Sequence, residues 1–262
     1  MRVTSFCSSS KANCTYIEHN GEGILVDMGC SLKMLKDGLS GIERSIDDIK
    51  AVFVTHEHSD HISGLFQLTK NTDIPIYASE GTLMRITHEK KVFTDKNLHT
   101  TAHLSEAPLS FAVNAFHTPH DSAESMGYTF DTGGIKAAVC TDIGHITEEV
   151  RNNLLGCRFV LLESNYDPRM LTRNIKYPPV LKERIRSERG HLSNGDSGVF
   201  ARELIKSGTV SLLLGHLSQE NNTPDIAYNN MVNMLSMAGA QVNRDFLLDI
   251  APVSGGCRRI IV

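Results

Sequence analysis

The stretch that most constrains this chain is the junction of a short apolar run with a cluster of ligand-type residues. Residues 50–55 (KAVFVT) have the length and β-branched content of a buried strand, and they lead without a turn into His56-Glu57-His58-Ser59-Asp60-His61. This H-x-H-x-D-H cluster puts four potential metal ligands into six residues at a strand end, where one loop can aim them all into one cavity. A lone histidine is usually a structural residue, but four ligand-type residues at this spacing are poorly explained that way. The fold must therefore bring a strand end to a cavity, and the remaining ligands must arrive from elsewhere in the chain.

Four further residues fall at the ends of predicted strands: His120 in His117-Thr118-Pro119-His120-Asp121, Asp142 after Val139-Cys140-Thr141, His191, and His216. Taken singly, His120 and His191 read equally well as turn histidines bonded to backbone, and Asp142 as a helix N-cap. Strands are expected at 2–6, 14–18, 23–27, 50–55, 74–78, 109–116, 125–131, 135–141, 159–163, 210–214 and 246–250, with a hairpin turn at 131–134. Helices are expected from 32 (capped by Ser31 and ending near 38–41), and at 63–70, 80–90, 148–155, 178–187, 193–206 and 223–238. This alternation argues for a layered α/β architecture, and the absence of any Gly/Ser-rich or Pro-rich linker argues for one domain over 1–262. Gly-His-Leu-Ser occurs at 190–193 and again at 215–218, too short an echo for a repeat protein.

With 262 residues, 40% of them hydrophobic, the chain can bury a real core, which excludes disorder. The longest apolar runs fall far short of the ~20 residues of a membrane span, and the first residues lead into no signal-peptide core, so a cytoplasmic protein is expected. Six scattered cysteines with no C-x-x-C pair fit free thiols in a reducing compartment. A net charge of -4 lacks the basic footprint of many nucleic-acid binders. Locally the balance reverses: between Asp167 and His191 seven basic residues face three acidic ones, a net +4. That stretch is either a track for a nucleic-acid backbone or a solvated face of mixed charge. Aromatic content of 6% without tryptophan offers few platforms for stacking single-stranded bases.

In the order of these ligands the chain resembles the metallo-β-lactamase-fold hydrolases over essentially its whole length. The resemblance implies a four-layer αββα sandwich of two mixed sheets flanked by helices. It implies that His56, His58 and His120 bind one divalent ion, that Asp60, His61 and His216 bind a second, and that Asp142 bridges the two. A bridging aspartate is similar to the dinuclear phosphodiesterase and thioesterase branches and unlike true β-lactamases. The stretches Glu163-Ser164-Asn165-Tyr166-Asp167, Tyr177-Pro178-Pro179, Leu181-Lys182-Glu183-Arg184-Ile185, Gly190-His191-Leu192-Ser193-Asn194 and the run from His216 to Pro224 (HLSQENNTP) look like the bacterial YycJ/WalJ family of 5′ to 3′ exonucleases. One departure stands in Cys7-Ser8-Ser9-Ser10-Lys11-Ala12-Asn13, where Lys11 and Ala12 occupy places for smaller or glycine residues, putting the tightness of that turn in question.

Two divalent ions ~3.5–4 Å apart acidify a shared water, orient it in line and neutralise charge on a phosphoryl oxygen, so a phosphodiester suits such a site. Zinc, manganese and iron all accept the set. Asp60, Asp142, Glu163 and His191 form the expected catalytic set. By resemblance to tRNA-processing relatives, Glu163 orients His191 to protonate the leaving oxygen, the alternative being a turn residue beside a helix cap at Ser193. Asn194, Ser218 and Asn222 are expected phosphate contacts, and His117 and His145 candidate outer partners of ligands. The foremost functional reading is a DNA 5′ to 3′ exonuclease. A phosphodiesterase or thioesterase acting on a small metabolite is the second. A metal-stabilised regulatory or scaffolding protein is the third, against which the complete ligand set argues; no protein partner is inferable. Only 59 residues separate His61 from His120 and 74 separate Asp142 from His216, leaving no room for the cap domain or tRNA-clamping arm of RNA-cleaving relatives. A flavin-dependent di-iron enzyme would carry Glu in place of His58 and a flavodoxin domain that the chain cannot hold.

Overall fold

The computed structural model describes residues 1–253 and 258–261. The chain runs β1 (Arg2–Ser9), β2 (Ala12–His19), β3 (Glu22–Val26), α1 (Leu32–Ser40), β4 (Ile49–Phe53), α2 (Ser59–Ile62), α3 (Leu65–Asn71), β5 (Ile76–Ala78), α4 (Glu80–His88), β6 (Leu98–Thr100), β7 (Ala112–His117), β8 (Met126–Asp131) and β9 (Lys136–Cys140). It continues with α5 (Glu148–Leu154), β10 (Phe159–Glu163), α6 (Pro168–Arg173), α7 (Pro179–Arg186), α8 (Asn194–Lys206), β11 (Ser211–Gly215), α9 (Pro224–Ser236), β12 (Leu247–Ile250) and β13 (Arg258–Ile261).

Side chains on a strand point alternately to the two faces of its sheet, and here the central strands are apolar on both. Ile24 and Val26 of β3, Ala51 and Phe53 of β4, Phe159 and Leu161 of β10 and Leu213 of β11 form one core between two stacked sheets. Their neighbours face outward: Leu25 and Val52 pack beneath α1 and α3 through Leu35, Leu39, Leu65 and Leu68. Val160, Leu162, Leu212 and Leu214 pack beneath α5, α8 and α9 through Val150, Leu154, Phe200, Leu204, Met231 and Leu235. The result is the expected αββα sandwich. Its sheets have seven strands, ordered β13-β1-β2-β3-β4-β5-β6, and six, ordered β12-β11-β10-β9-β8-β7. Both are mixed: β3 to β6 run parallel after an antiparallel β1–β2–β3, and β9 to β12 run parallel after an antiparallel β7–β8–β9.

Several boundaries differ from the sequence reading. The helix expected at 63–70 is α3, preceded by an unanticipated single turn, α2, from which it is separated at Gly64, where a Cβ would lie 2.1 Å from the carbonyl oxygen of Cys30. β6, α6 and β13 were not anticipated. The first two span three and six residues, too few to show a period, and β13 pairs at the edge with β1. The turn around Lys11 closes on Ser10 and Lys11 alone, with Lys11 exposed, so the larger side chain is accommodated. The hairpin at 131–134 closes through Thr132 N donating to Ile135 O at 3.1 Å. Cys7, Cys14, Cys30, Cys140 and Cys157 are buried free thiols; Cys257 lies outside the described residues. Among the described residues no helix is long and apolar enough to cross a membrane.

The parallel strands β3, β4, β9, β10 and β11 end on one edge of the sandwich, where crevices form in sheets of this kind. Gly29, in the loop after β3, sits where a Cβ would meet the Asp60 carbonyl oxygen at 1.6 Å. Gly29→Ala is expected to lower the unfolding free energy by about 3 kcal/mol. Gly134→Ala, with open space around it, should change it by less than about 0.5 kcal/mol. Chemical denaturation of both variants checks this, and equal stabilities would refute the close contact.

Candidate metal centre

The strand ends deliver the ligand-type residues to one buried point. His56 and His61 follow β4, His120 lies beyond β7, Asp142 is two residues past β9, Glu163 ends β10 and His216 follows β11. Three turns there use left-handed backbone: Asp27 (φ 62°), Asp142 (φ 58°) and His216 (φ 54°). For a histidine this conformation is uncommon, and such strain persists only where the surroundings impose it.

Donor atoms gather in overlapping sets, each with its members within 4.8 Å of one another: His56, His58 and His120; Asp60, His61 and His216; His56, His61 and Asp142. Asp142 joins them. Its Oδ1 lies 3.5 Å from His216 Nε2 and 3.6 Å from His120 Nε2, and its Oδ2 lies 3.2 Å from His61 Nε2. Asp60 Oδ2 is 3.3 Å from both His61 Nε2 and His216 Nε2.

Each inner imidazole is tied by its outer nitrogen. His61 Nδ1 contacts Asp27 Oδ2 at 2.7 Å, His216 Nδ1 contacts Glu163 Oε1 at 2.8 Å, His120 Nδ1 contacts Gly190 O at 3.0 Å, and His56 Nδ1 contacts Thr55 Oγ1 at 3.1 Å. Such contacts select the tautomer that leaves the Nε2 lone pair inward, as in carboxylate–histidine–metal arrangements. Of the nine buried side-chain atoms without a hydrogen-bond partner among the described residues, two belong to these clusters, His56 Nε2 and Asp142 Oδ2. Unsatisfied buried donors and acceptors are costly, and a divalent cation would satisfy these two, so the residues present fit such an ion.

The electrostatics agree with the geometry. Burial, with cationic neighbours adding to it, pushes His56 well below the usual imidazole range, keeping it neutral as a ligand must be. Burial opposes charge on His216, yet Asp142, Asp60 and Glu163 outweigh it and push the group up to about 10. Burial likewise works against the Asp142 carboxylate, but His216 and His61 hold it well below its ordinary value. The carboxylates thus create a demand for positive charge inside the site.

The family described as "Beta-lactamase superfamily domain" matches residues 23–214. The chain is 32% identical over 254 residues to exodeoxyribonuclease YycJ of Bacillus anthracis, covering 94% of this chain and 93% of that one. It is 32% identical over 257 residues to exodeoxyribonuclease WalJ of Streptococcus pneumoniae serotype 2, covering 96% and 94%. The chain belongs to the YycJ/WalJ family of metallo-β-lactamase-fold hydrolases. Its fold is shared with the metallo-β-lactamase fold protein YhfI of Bacillus subtilis, at a TM-score of 0.68 and 18% identity over 98% of both chains.

In this YycJ/WalJ-family hydrolase a cleft of about 170 Å³ opens onto the centre, walled by His58, His120, Asn165, Tyr177, His191 and Ser218 among others. Glu163 organises its floor. Oε1 contacts His191 Nδ1 at 2.9 Å as well as His216, while Oε2 accepts from Ile143 N at 2.9 Å and Leu192 N at 3.1 Å. Although burial favours the acid form, His191 and His216 hold the group down at about 2. His191 is therefore aimed by Glu163, and the cap at Ser193 is made by that serine's own hydroxyl, which accepts from Asp196 N.

Two expected substrate contacts are corrected. Asn194 and Asn222 are buried and bonded to each other, Nδ2 to Oδ1 at 3.0 and 2.8 Å, and they brace Ser164 and Asn165, so their amides cannot reach a phosphate. Ser218 does line the cleft. His117 and His145 turn elsewhere, His117 to Glu124 and Glu149 and His145 to Glu188 O, so neither supports a ligand. Of the basic stretch, Arg184 pairs with Asp121 and Arg189 donates to His120 O at 2.8 and 3.0 Å.

Sequence reasoning missed Asp27, Thr55 and Asn13. Asp27 accepts from Thr55 N at 2.8 Å and holds His61, while Asn13 Nδ2 donates to Asp60 Oδ2 at 3.2 Å. The one available signal was Asp27 at the end of an apolar strand, the same position that marked Asp142. Asp27→Ala is expected to weaken retention of divalent metal about 10–100-fold, read by competition with a chelator. Unchanged retention would make Asp27 a packing residue only.

Proposed function

We propose that this protein is a two-metal phosphodiesterase that degrades DNA from the 5′ end, releasing nucleotides in the 5′ to 3′ direction. In this reading residues 1–262 form one domain that works in the cytoplasm. The observation that carries it is Asp142, whose carboxylate lies within 3.6 Å of imidazoles from both ligand sets, His120 of one and His61 and His216 of the other, with the Glu163–His191 pair beside it at the cleft. The names of the two relatives, matched over nearly their whole length, support DNA as the polymer.

His56, His58 and His120 would hold one ion and Asp60, His61 and His216 the other, with Asp142 between them. When bound, such a pair supplies an acidified water and neutralises charge on the phosphoryl oxygens. The chain's own groups do the rest. Asp27, Glu163, Gly190 O and Thr55 hold the imidazoles in register, so no reorganisation is needed as charge develops. His191 is only partly buried, with Nδ1 tied to Glu163; its Nε2 is the group that delivers a proton to the departing 3′ oxygen. Ser218 and Asn165 wall the cleft where the phosphate docks.

The test is digestion of duplex DNA carrying a 5′ phosphate and separately labelled ends, in Mn²⁺ or Zn²⁺. Progressive shortening from the 5′ end is expected, abolished by Asp142→Ala. It should slow about 10²- to 10⁴-fold in His191→Ala with metal content unchanged. No digestion by a fully metal-loaded protein would overturn the reading in favour of a small phosphodiester or thioester.

A further inference from the structure

The arm formed by α6 and α7 carries features that hydrolysis does not use. Ile175, between the two helices, is 98% exposed, Val180 at the start of α7 is 75% exposed, and α7 buries no residue at all. A single exposed aliphatic residue is unremarkable, but its surroundings here are not. Most of the arm's cations are engaged: Lys176 with Glu220, Arg184 with Asp121, Lys182 with Thr172 O, Arg186 with Thr172 Oγ1 and Arg189 with His120 O. Arg169 and Arg173 make no such bond among the described residues, and standing four apart on α6 they share one helix face.

The tip also adjoins the metal cleft. A groove of about 370 Å³, lined by Met170, Arg173, Asn174, Ile175, Lys176 and Glu220, is built on residues adjacent in sequence to those of the cleft. Tyr177 follows Lys176, and Ser218 lies two residues before Glu220. Asn174 Nδ2 fastens the tip to that second wall by donating to Asn221 Oδ1 at 2.7 Å. Two residues of extended chain span at most about 7 Å, so the backbone of Ile175 stands within that distance of Tyr177 in the cleft wall. Free guanidinium groups suit phosphates, and after Glu220 and Asp121 offset two of the arm's net +4 charges an excess of +2 remains in a chain of net -4, which puts the attractive field there.

A blunt duplex cannot feed one strand into so narrow a cleft until its terminal pair opens, and an apolar side chain set between base steps is the known physical means of unstacking them. We propose that Ile175 is a wedge that unstacks the terminal base pair of a DNA duplex while Arg169 and Arg173 hold the backbone phosphates beside it. The inference rests on the nuclease reading and adds the residues that open and hold a duplex end.

The experiment places 2-aminopurine in the terminal pair of a blunt duplex whose 5′-terminal linkages are phosphorothioates, so that the metal-loaded protein binds without cutting. Fluorescence is expected to rise with the parent, to stay flat with Ile175→Ser and to rise again with Ile175→Leu. On cleavable DNA, the ratio of the duplex rate to the single-strand rate should fall at least fivefold in Ile175→Ser. The slope of log binding constant against log salt should drop by about two in Arg169→Ala/Arg173→Ala. A parent that causes no rise, or Ile175→Ser that causes an equal one, overturns the wedge and leaves the tip as a protein-contact surface. An Ile175-dependent rise in a protein that digests no DNA would keep the wedge and overturn the nuclease reading. Digestion with no rise would do the reverse.

Discussion

The Asp142 carboxylate, buried against the imidazoles of His61, His120 and His216 with one oxygen unpartnered, is the interaction on which the rest of the structure depends. An ionised carboxylate removed from water costs several kcal/mol unless opposite charge and hydrogen bonds offset it. The offset cannot come from one segment. His61 arrives from the first sheet, while His120, Asp142 and His216 arrive from the second, so the two sheets must be stacked closely and in register before the charges meet. The aromatic contacts between the sheets fix that register just below the centre. Phe53 of β4 lies 5.5 and 5.8 Å from Tyr128 and Phe130 of β8, and Tyr128 donates its hydroxyl to Val54 O. Left-handed backbone at Asp27, Asp142 and His216 is the local cost of turning side chains inward immediately after a strand.

Glu163 makes the centre and His191 inseparable. One of its oxygens contacts both His216, which faces Asp142, and His191, which faces the cleft, and the other clamps the loops at 143 and 192. Loss of the carboxylate would free both imidazoles and strand two backbone N–H groups. A substitution at 163 therefore reports on a shared scaffold and not on one step of chemistry. His191→Ala removes a side chain that only Glu163 contacts by hydrogen bond, which is why it separates the two roles more cleanly.

Much of this was legible in the sequence because ligand residues were concentrated where an apolar strand stops. His56, His58, Asp60 and His61 announced themselves by spacing, and Asp142 and His216 by position at strand ends. The partition into two sets came from resemblance and is consistent with the clusters the fold assembles. Thr55 and Asn13 left no trace and Asp27 only its place at a strand end, since a single polar residue beside a strand has many ordinary explanations and its partner is distant in sequence. Asn194 and Asn222 misled for the opposite reason. They follow His191 and His216 in sequence, but Asn194 at the start of α8 and Asn222 in the loop before α9 turn their amides back into the interior, where they satisfy each other. α6 escaped notice because six residues opening on a proline after an Asp cap carry too little periodicity to separate from a loop.

The arm and the centre form one mechanical unit, and this explains why a chain so acidic overall concentrates its basic residues there. Arg184 pairs with Asp121, Arg189 holds the carbonyl of His120, and Gly190 O receives the other end of the same histidine ring. The cleft wall formed by α7 is therefore bolted, through three separate contacts, to the loop that carries His120. A surface track attached only by its own helices would shift independently of the ions, and a phosphate bound on it would have no fixed distance to the reacting centre. Arginine serves this better than lysine, because a planar guanidinium can grip one backbone oxygen with two N–H groups, as Arg189 does. Several of the arm's charges thus serve first to set its position, which leaves Arg169 and Arg173 as the pair whose charge is directed outward.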